Sequence, residues 1–201
     1  MSRYKEPLAG GIISLSPQSK LPIAFYQRNA DVVAKALLGK QFLVKQEQTI
    51  QRSRIVETEA YMGSNDLASH ASKGRTKRTE VLFGHAGIIY VYLIYGMYDM
   101  FNIVVSQENN PQAVLIRAVE PLENITGSTN GPGKLCKSLA ITRKHNSLSV
   151  LGSRIWLEDG PKPKHIVITT RIGVDYAKEW AKKPLRFYDA NSSFVSRKAE
   201  N

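Results

Sequence analysis

Cysteine is almost absent from this chain: Cys136 is the only one in 201 residues. That excludes a disulfide framework and every cysteine-rich zinc site. The four histidines, His70, His85, His145 and His165, are scattered, and none falls in a metal-binding spacing. No apolar run approaches the roughly 18 residues of a membrane span. Gly11-Ile12-Ile13 is too short for the core of a secretory signal, so the N-x-[ST] patterns at Asn124 and Asn191 carry no meaning. Repeats, low-complexity tracts and linkers are missing as well. Acidic residues are few: 17 Asp and Glu face 28 Lys and Arg, a net charge of +11. The reading is an intracellular protein with no metal, cofactor or disulfide. Its surplus charge favours a polyanion, either nucleic acid or an acidic membrane surface.

What remains is an ordinary globular composition, 42% hydrophobic and 22% charged, of a length suited to one well-filled domain. Residues 1–20 and the last six read as mobile segments. Asn29 or Asp31 predicts the cap of a helix over residues 32–38, stopped by Gly39. Residues 41–45 and 54–61 predict two strands joined by a polar turn, followed by a polar loop over 63–78 that carries Lys73, Arg75, Lys77 and Arg78. The β-branched and aromatic stretches 88–95 and 98–105 predict a hairpin. Gly96-Met97 would form its two-residue type II′ turn, with Tyr95 and Tyr98 flanking the tip. Residues 113–119 and 166–172 predict further strands. A short helix falls around Leu135 and Leu139, and another runs from a cap at Asp175 to Pro184. Strands grouped centrally, with helices before and after, predict an α+β domain with a largely antiparallel sheet.

Three neighbouring features carry chemistry. In Arg54-Ile-Val-Glu-Thr-Glu-Ala-Tyr61, strand alternation places Glu57, Glu59 and Tyr61 on one face. Two carboxylates so placed repel each other and tend to raise a pKa. The pattern fits an edge strand with a solvated acidic face, or an acid–base pair such as glycoside hydrolysis uses. Four of the nine tyrosines, Tyr90, Tyr92, Tyr95 and Tyr98, fall in the hairpin. Tyr90 reads as core, whereas a tyrosine beside a projecting turn can stack on bases or wedge into a duplex. Acidic strand, basic loop and aromatic hairpin together suggest a site for one flat base and one acid, ringed by phosphate-binding charge.

The octapeptide 54–61, Asp66-x-Ala-x-His70, and Tyr90-Val-Tyr-Leu-Ile-Tyr-Gly-Met-Tyr98 with Asn102 resemble the alkyladenine (3-methyladenine) DNA glycosylase family. Val114-Leu-Ile-Arg-Ala-Val-Glu-Pro-Leu122, Gly131-Pro-Gly-Lys-Leu135, Arg171-Ile-Gly173 and Lys183-Pro-Leu-Arg-Phe-Tyr188 continue the likeness in the same order, from about Leu21 to about Ser196. Several long motifs in one order are far more specific than one short pattern.

The resemblance implies a single α+β domain over residues 21–196, with a curved, largely antiparallel sheet, surrounding helices and a protruding β-hairpin. It implies a monomeric, monofunctional enzyme without cofactor or membrane partner, acting in bacterial cytoplasm or a eukaryotic nucleus. Such an enzyme flips an alkylated or deaminated purine out of double-stranded DNA and hydrolyses its N-glycosidic bond. By the match, Glu59 is the general base, and Arg117 and the carbonyl of Ile172 hold the water with it. Tyr61, His70 and Tyr92 form the base pocket. Asn102 disfavours the amino group of normal guanine by a clash. Tyr95 fills the gap left by the flipped nucleotide, with Met97 beside it. Arg75, Lys77, Arg78 and Lys134 contact phosphates, together with Lys73, Arg143 and Arg186. Glu57 receives no role. The family's longer charged insertion between Pro121 and Gly131 is replaced by nine turn-rich residues. A non-catalytic binder of damaged DNA and a hydrolase of free nucleosides or glycans are the rival readings. The presence of both Glu59 and Arg117 argues against the first.

Overall fold

Strand β2, Thr49–Tyr61, runs through the middle of an eight-stranded antiparallel sheet and determines where the chemistry sits. The computed structural model describes residues 20–199; the expectation of a flexible segment at residues 1–20 lies outside them except for Lys20. Strands β1 (Gln41–Gln46), β3 (Ile89–Ile94), β4 (Tyr98–Val105), β5 (Gln112–Glu123) and β6 (Ile155–Glu158) give the order β3-β4-β5-β2-β1-β6. The short strands β7 (Ile166–Thr169) and β8 (Arg186–Asp189) pair with each other, and β8 joins β2. Along one edge β2 therefore pairs first with β1, through residue 54, and then with β8, from residue 57. Its pairing with β5 shifts register on both sides of Glu57. Such bulges bend a strand and re-aim its side chains. They fall where the sheet curls and changes partner.

Helices α1 (Ile23–Tyr26), α2 (Ala30–Leu37) and α3 (Pro132–Ser138) flank the sheet, which makes the domain α+β. Helix α2 buries Ala30, Val33, Ala34 and Leu37. This is one stripe at helical spacing. Burial of Val33 and Leu37 contributes about 1.5–3 kcal/mol each. The rings of Phe42 and Phe101, 5.0 Å apart, tie β1 to β4 across the core. Cys136 lies in α3 with its side chain in the same core.

Several expectations shift. Helix α2 starts at Ala30, and the N-cap Asn29 makes no side-chain capping bond. Gln112 on β5 does that work, accepting from the Ala30 N–H at 2.7 Å. Gly39 ends the helix as expected: its φ is +86°, and an added Cβ would collide with the Pro161 carbonyl. The polar turn between β1 and β2 contracts to Glu47 and Gln48, because the polar strand residues find partners. Ser53 donates to the Phe42 carbonyl at 3.0 Å, and Arg52 bonds Glu158 at 2.9 Å. In the hairpin, Met97 N–H donates to the Ile94 carbonyl, with φ of +52° at Tyr95 and +71° at Gly96. The turn bond thus closes around Tyr95-Gly96, both at positive φ, within a three-residue connection between Ile94 and Tyr98, not around Gly96-Met97 in type II′. Strand β7 ends at Thr169, leaving residues 170–173 as loop, and the segment Asp175–Lys182 is a 3-10 stretch kinked at Lys178. Residues 196–199 do not hang free: Ser196 N–H donates to Glu57 and Ala199 N–H to the Tyr188 hydroxyl.

Candidate active site

The acidic strand face is interior. Glu57 and Glu59 have no exposed surface, because β2 is flanked on both edges and covered by the 170–173 loop. This overturns the solvated edge strand. Burying two carboxylates demands counter-charge and donors, and each oxygen has them. Glu59 Oε1 accepts from the Ile172 N–H at 2.8 Å and faces Arg117 Nη1 at 3.2 Å, while Oε2 accepts from the Tyr61 hydroxyl at 3.0 Å. Glu57 Oε1 lies 2.8 Å from Arg186 Nη1 and 3.3 Å from Arg117 Nε, and its Oε2 accepts from the Ser196 N–H at 2.7 Å. Burial works against the Arg117 charge, yet Glu59, Glu57 and Tyr61 outweigh it and raise its pKa. Burial first, then Glu59, raises the Tyr61 pKa, so its hydroxyl remains a donor.

Above Glu59 lies a cavity walled by Tyr61, His70, Tyr90, Tyr92, Asn102 and Tyr176. Including its mouth it holds about 690 Å³. His70 packs edge-on to Tyr92, with ring centres 4.4 Å apart, and its Nδ1 lies 2.9 Å from the Tyr90 hydroxyl. Burial and the nearby Arg78 lower the His70 pKa to about 4, leaving a neutral ring at physiological pH. Burial also raises the Tyr92 pKa. Asn102 is held by donation from Nδ2 to the Tyr90 and Met100 carbonyls, both at 3.2 Å. One wall depends on a pair that sequence reading left without a role. Arg171 makes a two-pronged bond to Asp66 at 2.5 and 2.9 Å and also donates to the Ala60 carbonyl. Its guanidinium lies 4.8 Å from the centre of the Tyr61 ring. Asp66 in turn accepts from the Met62 and Ala68 N–H groups, so this pair fastens the loop after β2 to the loop after β7. The cost of burying such charges was the available signal, since both lie inside motifs otherwise read as a pocket.

Arg117, Ile172, Tyr61, His70, Tyr92 and Asn102 line one cavity, and Glu59 lies behind its wall, bonded to Tyr61, Ile172 and Arg117. Ile172 meets Glu59 through its N–H, at 2.8 Å, and not through its carbonyl. Tyr95 and Met97 project at the hairpin tip, 82% and 67% exposed. Tyr176 stands exposed at the cavity mouth; sequence reading missed it because a lone tyrosine in a polar turn has no pattern. Lys73, Arg75, Lys77, Arg78, Lys134 and Arg143 are exposed. Of these, Arg75 bonds Glu80 and Asn109, Lys134 bonds Asn130, Arg143 lies 3.6 Å from Asp99, and Arg78 sits 5.5 Å from the Tyr92 ring centre. Arg186 departs from its expectation: it is buried, occupied by Glu57 and the Thr170 carbonyl, and cannot reach a phosphate. Among the described residues no cluster of His, Cys, Asp or Glu suits a metal ion, and no helix is long and apolar enough to cross a membrane.

A buried carboxylate bonded to the walls of an aromatic cavity, on a curled antiparallel sheet, is the arrangement that the comparisons with known proteins place in a class of hydrolases of N-glycosyl bonds. The sequence model of the methylpurine-DNA glycosylase family matches residues 24–193. The chain is 49% identical over 181 residues to the "Putative 3-methyladenine DNA glycosylase" of Legionella pneumophila (strain Lens), covering 89% of this chain and 98% of that one. A protein of the same description from Anaeromyxobacter dehalogenans (strain 2CP-C) is 50% identical over 183 residues, covering 90% and 88%. A third of the same description, from Methanocella arvoryzae, is 49% identical over 193 residues, covering 89% and 96%. The chain belongs to the methylpurine-DNA glycosylase family, hydrolases of N-glycosyl bonds.

Proposed function

We propose that this protein removes alkylated or deaminated purines, such as 3-methyladenine, 7-methylguanine, hypoxanthine and ethenoadenine, from double-stranded DNA and so begins base excision repair. The observation that carries this reading is the fully buried Glu59 directly behind the aromatic cavity, held by the lining residues Arg117, Tyr61 and Ile172. A base stacked in a duplex hides its sugar carbon, so the nucleotide must swing out before attack. Tyr95, with Met97 beside it, enters the stack from the hairpin tip and offsets part of the unstacking cost of a few kcal/mol. The flipped base lies among Tyr61, His70 and Tyr92, where a positively charged N-alkylpurine is favoured over the ring faces. Asn102 refuses the amino group of ordinary guanine. Water then attacks C1′ of the sugar. Its proton passes to Glu59, the C1′–N bond breaks, and the bonding pair leaves with the base. Arg117 and the Ile172 carbonyl hold the water; alkylation makes the base a ready leaving group, so little acid assistance is needed. Arg75, Lys77, Arg78 and Lys134 grip phosphates without reading sequence.

The test is excision from one duplex context carrying each of the four lesions in turn, with wild-type protein and Glu59→Gln. Wild type releases free base from at least one lesion; Glu59→Gln releases none while binding the same duplex. Release by Glu59→Gln at the wild-type rate removes Glu59 as the base. Binding by wild type without any release favours the non-catalytic reading.

A further inference from the structure

We propose that Glu57 is a positioning residue of the excision site: through Arg117 it sets the placement of the Glu59 carboxylate, with Arg186 as its own counter-charge. The inference deepens the reading of Glu59 as general base and rests on it. Four buried charges stand in alternating order, Glu59, Arg117, Glu57, Arg186, with successive contacts of 3.2, 3.3 and 2.8 Å. The two carboxylates are fully buried, and the arginines are 8% and 4% exposed. Buried ion pairs are often replaceable by apolar residues without loss of stability, so stability alone does not account for such a row.

Geometry supplies an account. Glu57 and Glu59 are two residues apart on one strand, hence on one face, and a single guanidinium reaches both, Nη1 to one and Nε to the other. An arginine devoted to Glu59 alone would hold that carboxylate tightly in its charged form and depress its basicity. Shared with Glu57, the same charge is fixed between the two carboxylates and holds Glu59 in one place. Arg186 from β8 and the Ser196 N–H fix Glu57 from the far side, and the register shifts flanking Glu57 aim it at Arg117. The other groups facing Glu59 are Tyr61 on its own strand, Tyr92 on β3, and Tyr176 and the Ile172 N–H beyond β7; none of them is a cation. Arg117 is therefore the contact through which Glu57 acts; Arg186, opposite Glu59 across the β2–β8 pairing, is held by Glu57, and Arg171 is held by Asp66.

The experiment follows single-turnover excision against pH on whichever lesion duplex the wild-type protein cuts fastest, with Glu57→Gln, Arg186→Gln and Glu59→Gln in parallel. Glu57→Gln moves the acid limb of the profile to lower pH by about one unit and lowers the plateau about tenfold. Arg186→Gln moves the limb the other way by a similar amount, since Glu57 then has more of Arg117. Affinity for the lesion duplex stays within about threefold in both. Profiles that overlay the wild type after uniform scaling overturn the inference, as does failure of both variants to yield folded protein, which would make the row structural. Glu59→Gln separates the two levels. If it still excises, the reading of Glu59 has failed; if it is inactive while Glu57→Gln keeps the wild-type limb, only this inference has failed.

Discussion

The Tyr61 hydroxyl donates to Glu59 Oε2 at 3.0 Å, so one residue both lines the cavity and orients the carboxylate beneath it. Tyr61→Phe keeps the ring and deletes the donor. Single-turnover excision is expected to slow about tenfold through lost orientation, with affinity for the lesion duplex retained. Equal loss of rate and affinity would place the hydroxyl on the base instead.

Tyr95 holds a φ of +52° at an 82% exposed tip, a conformation costly to any residue with a Cβ. Tyr95→Gly relieves that strain and should raise stability by about 1 kcal/mol in denaturant melts. The same change should weaken binding and excision of a lesion duplex. A variant both less stable and fully active would contradict the wedge role.

The Asp66–Arg171 bond joins two loops with no exposed side-chain surface on either partner. Asp66→Ala strands a buried guanidinium and is expected to cost about 3–5 kcal/mol. For a chain of this size that lowers Tm by roughly 10 °C. Differential scanning calorimetry measures it, and a shift of a degree or two would mean the loops are fastened elsewhere.

His70 is neutral when folded until about pH 4 but protonates near 6.5 when unfolded. Its contribution to stability is therefore complete above pH 6.5 and is lost as pH falls from there toward 4. His70→Gln should flatten that part of the stability–pH curve, followed by urea melts between pH 4 and 8. No flattening would mean the ring is solvated.

Affinity for undamaged duplex should fall steeply with salt, with a log–log slope of about −0.9 for each phosphate neutralised. Lys77→Ala should reduce that slope by about one if it touches a phosphate. An unchanged slope would remove Lys77 from the interface.

Much of the fold was legible because the hydrophobic pattern of β2 through β5 is strong and local. The four-residue strands β6 and β8 were not, since Ile155–Glu158 and Arg186–Asp189 mix charge with aromatics and become strands only by pairing with β1 and β2. The turn at Tyr95 was misplaced because a tyrosine with positive φ contradicts local preference, which is common where backbone strain serves a site. The cavity residues were legible from long motifs. Their support was not: that Arg186 faces inward depends on the partner switch along β2, a long-range event with no local signature.

Cys136, inside the core on α3, has a further consequence. Burial pushes its thiol up to about 12, so almost no thiolate exists at neutral pH. Thiolates are the sulfur form that electrophiles attack. The chain's one cysteine is thus kept in the thiol form, which leaves the protein without a ready sulfur target for electrophiles.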